Sequence, residues 1–153
     1  MPNHLRLMAV IGCAVASACA GAHMATSEAR VTPEFLAATG GPERPFSPGV
    51  RVGNLLFVSG QIGTDSAGRV VAGGIRAETR QTLSNIRDIL VRNGSSMDRV
   101  VKCTVFMADM AEWSTMNDIY VTFFPSHRPA RSAFGATGLA PNARVEIECI
   151  AAS

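Results

Sequence analysis

Apolar positions along this chain recur with two periods, and the switches between them mark out its elements. From Ile75 to Asn93 the apolar residues Ile75, Leu83, Ile86, Ile89 and Leu90 fall near helical spacing, with Arg and Asp between them. This predicts a helix, and Gly94 is its expected stop. Val50–Val52 and Asn54–Gln61 read as a hairpin turning near Gly53. Thr64–Gly68 reads as a turn, and Gly73-Gly74 as a break before the helix. Val100–Met107 is rich in Val, Thr and Phe and reads as a strand. Asp109-Met110-Ala111-Glu112 has capping-box spacing, which predicts a second helix with Trp113, Met116, Tyr120, Phe123 and Phe124 on its apolar face. Pro125 ends it, and strands at about 130–137 and 143–152 close the chain. Strands interleaved with two helices predict an α+β fold, a mixed sheet with helices packed on one face.

The segments before residue 50 differ in character. Residues 31–48 contain Pro33, Gly40, Gly41, Pro42, Pro45 and Pro48, which predicts an ordered loop with at most short extended or helical pieces. Residues 23–30 read as a tether. Met1–Arg6 is short and basic, and the sixteen residues of Leu7–Ala22 carry no charge. That layout predicts a secretory signal over residues 1–22, cleaved after Ala20 or Ala22, and so an exported or periplasmic bacterial protein. Ala16-Ser17-Ala18-Cys19 also resembles a lipoprotein box, so membrane attachment would come only through a lipidated Cys19. If translation starts instead at Met24, the protein is cytoplasmic.

The remaining 31–153 has the size of one ordinary domain. Across the chain 47% of residues are hydrophobic and 17% charged, as a packed globule requires. The net charge is only +2, with one lysine (Lys102) and thirteen scattered arginines. That excludes a basic nucleic-acid stripe. Cys103 and Cys149 lie in strand-like apolar runs, and no histidine stands at a metal-ligand spacing from them. Core packing is their expected role, with a disulfide between them left open.

The chemistry concentrates near the end. Arg131, in Pro129-Ala130-Arg131-Ser132, offers a planar fork suited to a carboxylate. Glu146 lies fifteen residues later, in Val145-Glu146-Ile147-Glu148, and can move a proton or orient a water. Glu148, two residues on, shares its side of the strand and can raise its pKa. By itself Glu148 reads as a solvated or ion-paired residue.

These segments, together with Pro45-Phe46-Ser47-Pro48-Gly49, Val58-Ser59-Gly60-Gln61-Ile62, the Thr79–Ile86 helix, Val100-Val101-Lys102 and Met116-Asn117-x-x-Tyr120, resemble the Rid family of enamine/imine deaminases (RidA/YjgF) from about Val31 to Ala152. The resemblance implies a chorismate-mutase-like α+β fold assembled as a homotrimeric barrel, with sites in clefts between subunits. It implies hydrolysis of 2-imino or 2-enamino acids to 2-oxo acids and ammonia, with neither metal nor organic cofactor. By the same resemblance Arg131 holds the substrate carboxylate, Glu146 orients or activates water, and Asn117 borders the cleft. Ser47, Gly60 and Gln61 shape the cleft floor, and Ala133, where some members have cysteine, offers its backbone N–H. Phe46 stands where many members carry a ligand-touching tyrosine. The lost hydrogen bond amounts to about 1.5–3 kcal/mol if its partner is charged. The alternative function is a module that binds small carboxylates in the same cleft without turnover.

Overall fold

Short apolar runs pair into one six-stranded sheet, and two helices cover one of its faces. The computed structural model describes residues 31–38 and 44–153. The leader, its cleavage and lipidation sites and the tether lie outside the described residues. The strands are β1 (Glu34–Phe35), β2 (Gly49–Val52), β3 (Leu55–Ile62), β4 (Val100–Met107), β5 (Ala130–Gly135) and β6 (Val145–Ala152). The helices are α1 (Gly74–Arg92) and α2 (Trp113–Tyr120). Across the sheet the order is β1-β2-β3-β6-β4-β5, antiparallel except for the parallel pair β4–β5. A parallel pair needs a crossover, and α2 supplies it between β4 and β5.

The sheet is sorted by side-chain alternation. Along β6, Val145, Ile147, Cys149 and Ala151 are buried, while Glu146 and Glu148 point the other way. Cys103, Val105 and Met107 of β4 and Leu56 and Val58 of β3 join the buried side. Onto it α1 lays Leu83, Ile86, Ile89 and Leu90, and α2 lays Met116, Ile119 and Tyr120. The expected α+β class and the expected helical faces are therefore present. At the start of α1 the pair Gly73 (φ 115°) and Gly74 (φ 67°) takes the left-handed turn that a side chain would resist.

Three features depart from the sequence reading or sharpen it. The capping box forms by half. Asp109 Oδ1 accepts a hydrogen bond from the Ala111 N–H at 2.8 Å, but this caps a single 3₁₀ turn over Met110–Glu112. The Glu112 carboxylate turns away to pair with Arg144. A long-range ion pair has displaced the local bond that spacing alone suggests. Arg144 also donates its backbone N–H to Oε2 of the buried Glu78 at 2.7 Å. This cluster ties α1, the entry to α2 and the entry to β6 together. Finally, Cys103 and Cys149, register partners across β4 and β6, are joined in a disulfide. They fill the core as expected and are bonded as well. Closing a separation of 46 residues removes about 4 kcal/mol of chain entropy from the unfolded state.

Candidate functional site

Alternation decides where the site residues go, and it separates them. Arg131 is the register partner of Cys103 in the parallel pair, so it lies on the helix side of the sheet. Glu146 is the register partner of Phe106 and Ile62, so it lies on the open side. One chain thus carries the two candidate groups on opposite faces of its sheet.

The arginine half is built by edge strand β5 and helix α2. Arg131 Nη1 donates to Asn117 Oδ1 at 2.9 Å. Its Cζ stands 5.1 Å from the Trp113 ring centroid and 4.5 Å from that of Tyr120. Asn117 therefore ties the helix to the arginine, which outweighs a role in helix packing alone. Among the described residues no carboxylate pairs with Arg131, although the residue is half-buried. Its Nε–Nη2 edge keeps two parallel donors. Ala133, two residues along the strand, packs against the core on the same side. Burial pushes the Tyr120 phenol up to about 12, against the lowering influence of the Arg131 charge.

The glutamate half is built where β3 and β6 lose regular register, between Val58 and Gln61. Gln61 is buried, and its side-chain amide donates to the Ser59 carbonyl at 2.9 Å and the Gly60 carbonyl at 3.1 Å. It braces the irregular turn of chain from behind and does not itself face the open side. Ser59 Oγ donates to the Ser47 carbonyl at 2.7 Å, which pins the Phe46–Ser47 segment beside Gly60. Phe46 is half-exposed, with the Arg44 Cζ 5.9 Å from its ring centroid. Glu146 lies directly over Gly60. A Cβ on residue 60 would overlap Glu146 Oε1 and stand 2.9 Å from Cδ. Only glycine leaves that space free. Desolvation raises the Glu146 pKa above its ordinary 4.5, and the neighbouring Glu148 adds to the rise.

Two cavities lie elsewhere. One of about 120 Å³ sits on the open face beside Phe57, Lys102, Thr104, Glu148 and Ile150, and one of about 500 Å³ includes Arg44, Gln61, Asn85 and Arg92. Neither contains Arg131 or Glu146. Among the described residues no group of three His, Cys, Asp or Glu is placed to hold a metal. Sequence reasoning assigned Trp113 and Tyr120 to the core and missed their contact with Arg131. The available signal was their spacing with Asn117, i, i+4 and i+7 on one helical stripe.

The family model described as Endoribonuclease L-PSP matches residues 37–153. The 2-iminobutanoate/2-iminopropanoate deaminase of Mus musculus is 44% identical over 108 residues, covering 70% of this chain and 80% of its own. A solved structure from Thermotoga maritima superposes with a TM-score of 0.73 at 40% identity, over 78% of this chain and 97% of that one. E. coli TdcF with bound serine superposes at 0.72 and 31% identity, over 78% and 98%.

Two outcomes test this geometry. Gly60→Ala meets only the mobile end of a side chain, so the fold should persist while the Glu146 carboxylate is displaced. A crystal structure of the variant with Glu146 unmoved would refute this. The raised Glu146 pKa means the native state keeps that proton to higher pH than the unfolded chain does. Its stabilising contribution is complete below the unfolded value and is lost as pH rises through the folded one. Glu146→Gln should therefore gain stability relative to wild type as pH rises above 4.5, measured by urea denaturation. A pH-independent difference would contradict the shift.

Proposed function

The chain belongs to the YjgF/RidA family, whose model is described as Endoribonuclease L-PSP, and from that membership we propose that it hydrolyses 2-imino acids to 2-oxo acids and ammonia. The observation that carries the reading is Arg131: a half-buried cation, held by Asn117 and two aromatic rings, with no carboxylate against it among the described residues. A site that fixes a guanidinium and leaves one fork edge unpaired suits a small carboxylate. The bound serine of TdcF and the name of the mouse relative point to the same ligand class, a small acid bearing nitrogen at C2. The ribonuclease description of the family model finds less support here. A net charge of +2 and a single lysine make a poor RNA surface.

In the proposed reaction the Nε–Nη2 edge of Arg131 holds the substrate carboxylate. Water adds to the carbon of the protonated imine, and Glu146 takes the proton that the water loses. The resulting carbinolamine collapses as Glu146 returns that proton to nitrogen, the C–N bond breaks to release ammonia, and the hydroxyl proton passes back to the Glu146 carboxylate as the carbonyl forms. One carboxyl serves as base and then as acid, a task helped by the rise of its pKa through desolvation and the neighbouring Glu148. Glu146 and Arg131 come together only when a second copy supplies the missing half, as in a homotrimer with the site between subunits. Phe57, Val101 and Phe134 on the open face are exposed enough to suit such an interface. The substitution of tyrosine by Phe46 favours the second reading, binding without turnover.

Complementation separates these cases. Decay of 2-iminopropanoate, generated in situ, should be accelerated by wild type and lost in Arg131→Ala. Glu146→Gln should fall about 10²–10⁴-fold. Mixing the two variants under subunit exchange should restore activity to about a quarter of wild type, because one cyclic interface in four regains both residues. No recovery from exchanged assemblies would reject the intersubunit site. Binding of 2-oxobutanoate without acceleration by wild type would leave only the binding module.

We propose in addition that the mature protein works in an oxidising compartment. The Cys103–Cys149 disulfide supports this, since such bonds persist outside the reducing cytosol. Intact mass of the protein from its own cells should show a chain shortened by about twenty residues, the length of a signal segment. A chain beginning at Met24 with both thiols free would reject export.

A further inference from the structure

We infer that Trp113 and Tyr120 are positioning residues that set the plane of the Arg131 guanidinium for substrate binding, an inference that rests on the reading of Arg131 as the carboxylate clamp. Trp113, Asn117 and Tyr120 stand at i, i+4 and i+7, one stripe of α2. Met116 and Ile119 anchor the same helix in the core, so its rotation is set independently of the arginine. The stripe then meets Arg131 with ring, amide and ring. The amide takes one N–H of Nη1, and the rings stand 5.1 and 4.5 Å from Cζ. A guanidinium that stacks and also donates in its plane has lost most of its rotational freedom. Its Nε–Nη2 edge takes no part in the bond to Asn117.

The Tyr120 hydroxyl shows which part of that residue acts. Tyr120 is 4% exposed, and its hydroxyl has no hydrogen-bond partner. An unpaired buried hydroxyl is a cost, so the ring and not the phenol serves the site. Phe124, with its ring centroid 4.8 Å away, backs the Tyr120 ring from the core. Held in this way, the cation meets a carboxylate with little ordering left to do. The rings act through Arg131 and touch no reacting atom.

Paired variants provide the test. Tyr120→Leu and Trp113→Leu should each weaken 2-oxobutanoate binding, and raise KM for 2-iminopropanoate, about tenfold. kcat should change less. Tyr120→Phe and Trp113→Phe keep a ring and should restore affinity to within about threefold of wild type. In an Arg131→Ala background the leucine variants should add no further loss, because they act through the same group. Folded leucine variants that bind as wild type does would overturn the inference, as would losses that persist without Arg131. Should the leucine variants not fold, the wild type still decides. Ring currents must displace the Arg131 side-chain proton resonances, and unshifted resonances would overturn the cradle. If Arg131→Ala itself binds 2-oxobutanoate normally, the clamp fails first and takes this inference with it. If only the leucine variants bind normally, the clamp stands and the cradle alone falls.

Discussion

Period-two alternation along β6 is the constraint on which the rest of the molecule depends. This strand lies between β3 and β4, so each of its residues faces either the helices or the open side. Val145, Ile147, Cys149 and Ala151 take the helix side and form the middle of the core. Glu146 and Glu148 are thereby committed to the other face. A slip of one residue would bury both carboxylates and expose the core set, so the register is strongly specified. The disulfide at Cys103–Cys149 locks that register covalently to β4. Through β4 it also sets the parallel strand β5, and with it the side on which Arg131 emerges.

The approach to β6 needs its own anchor, because the strand begins just after a loop. Arg144 provides it. Its backbone N–H meets Glu78 of α1, and its guanidinium meets Glu112 before α2. A buried glutamate is costly without partners. Here the backbone N–H and the half-exposed Arg144 side chain supply them. Arg144 lies two residues before Glu146, just ahead of the strand. It contributes to the site by holding β6 against both helices, while Gly60 leaves room for the carboxylate itself.

Much of this was legible in the sequence because it is periodic. The helix from Ile75, the strand Val100–Met107 and the hairpin at Gly53 follow from local spacing and turn residues. The half-formed capping box was not legible, since the competitor for Glu112 is Arg144, far along the chain. The cysteines could be assigned to buried faces, but their pairing depends on the register of β4 against β6, which no local pattern encodes. The stripe of α2 illustrates both sides. Trp113 and Tyr120 were correctly placed on the inward face, yet what they meet there is a cation from a later strand. Gln61 reads as a residue of the cleft floor, and what spacing does not show is that its amide donates to the Ser59 and Gly60 carbonyls. The gap between Arg131 and Glu146 was hidden for the same reason. Each side chain is easy to recognise, but its face follows only from sheet order.

That separation has a chemical consequence. Had one chain placed Arg131 and Glu146 side by side, they would have formed an ion pair. At about 4 Å and an effective dielectric near 20 the attraction is about 4 kcal/mol. Such a pair would occupy the carboxylate-binding edge of the arginine. It would also hold the glutamate ionised, with a pKa driven down and little use as an acid. The observed fold does the reverse. The sheet stands between the two groups, so the Arg131 fork is not taken up by the chain's own glutamate, and Glu146 feels desolvation and Glu148 instead. In the proposed assembly a substrate carboxylate would take the Nε–Nη2 edge of the arginine and quench its charge. The glutamate would then face the imine carbon with its proton affinity intact. Within each chain the sheet thus keeps the clamp and the proton carrier from neutralising each other, and in the proposed assembly the substrate carboxylate would take over that part.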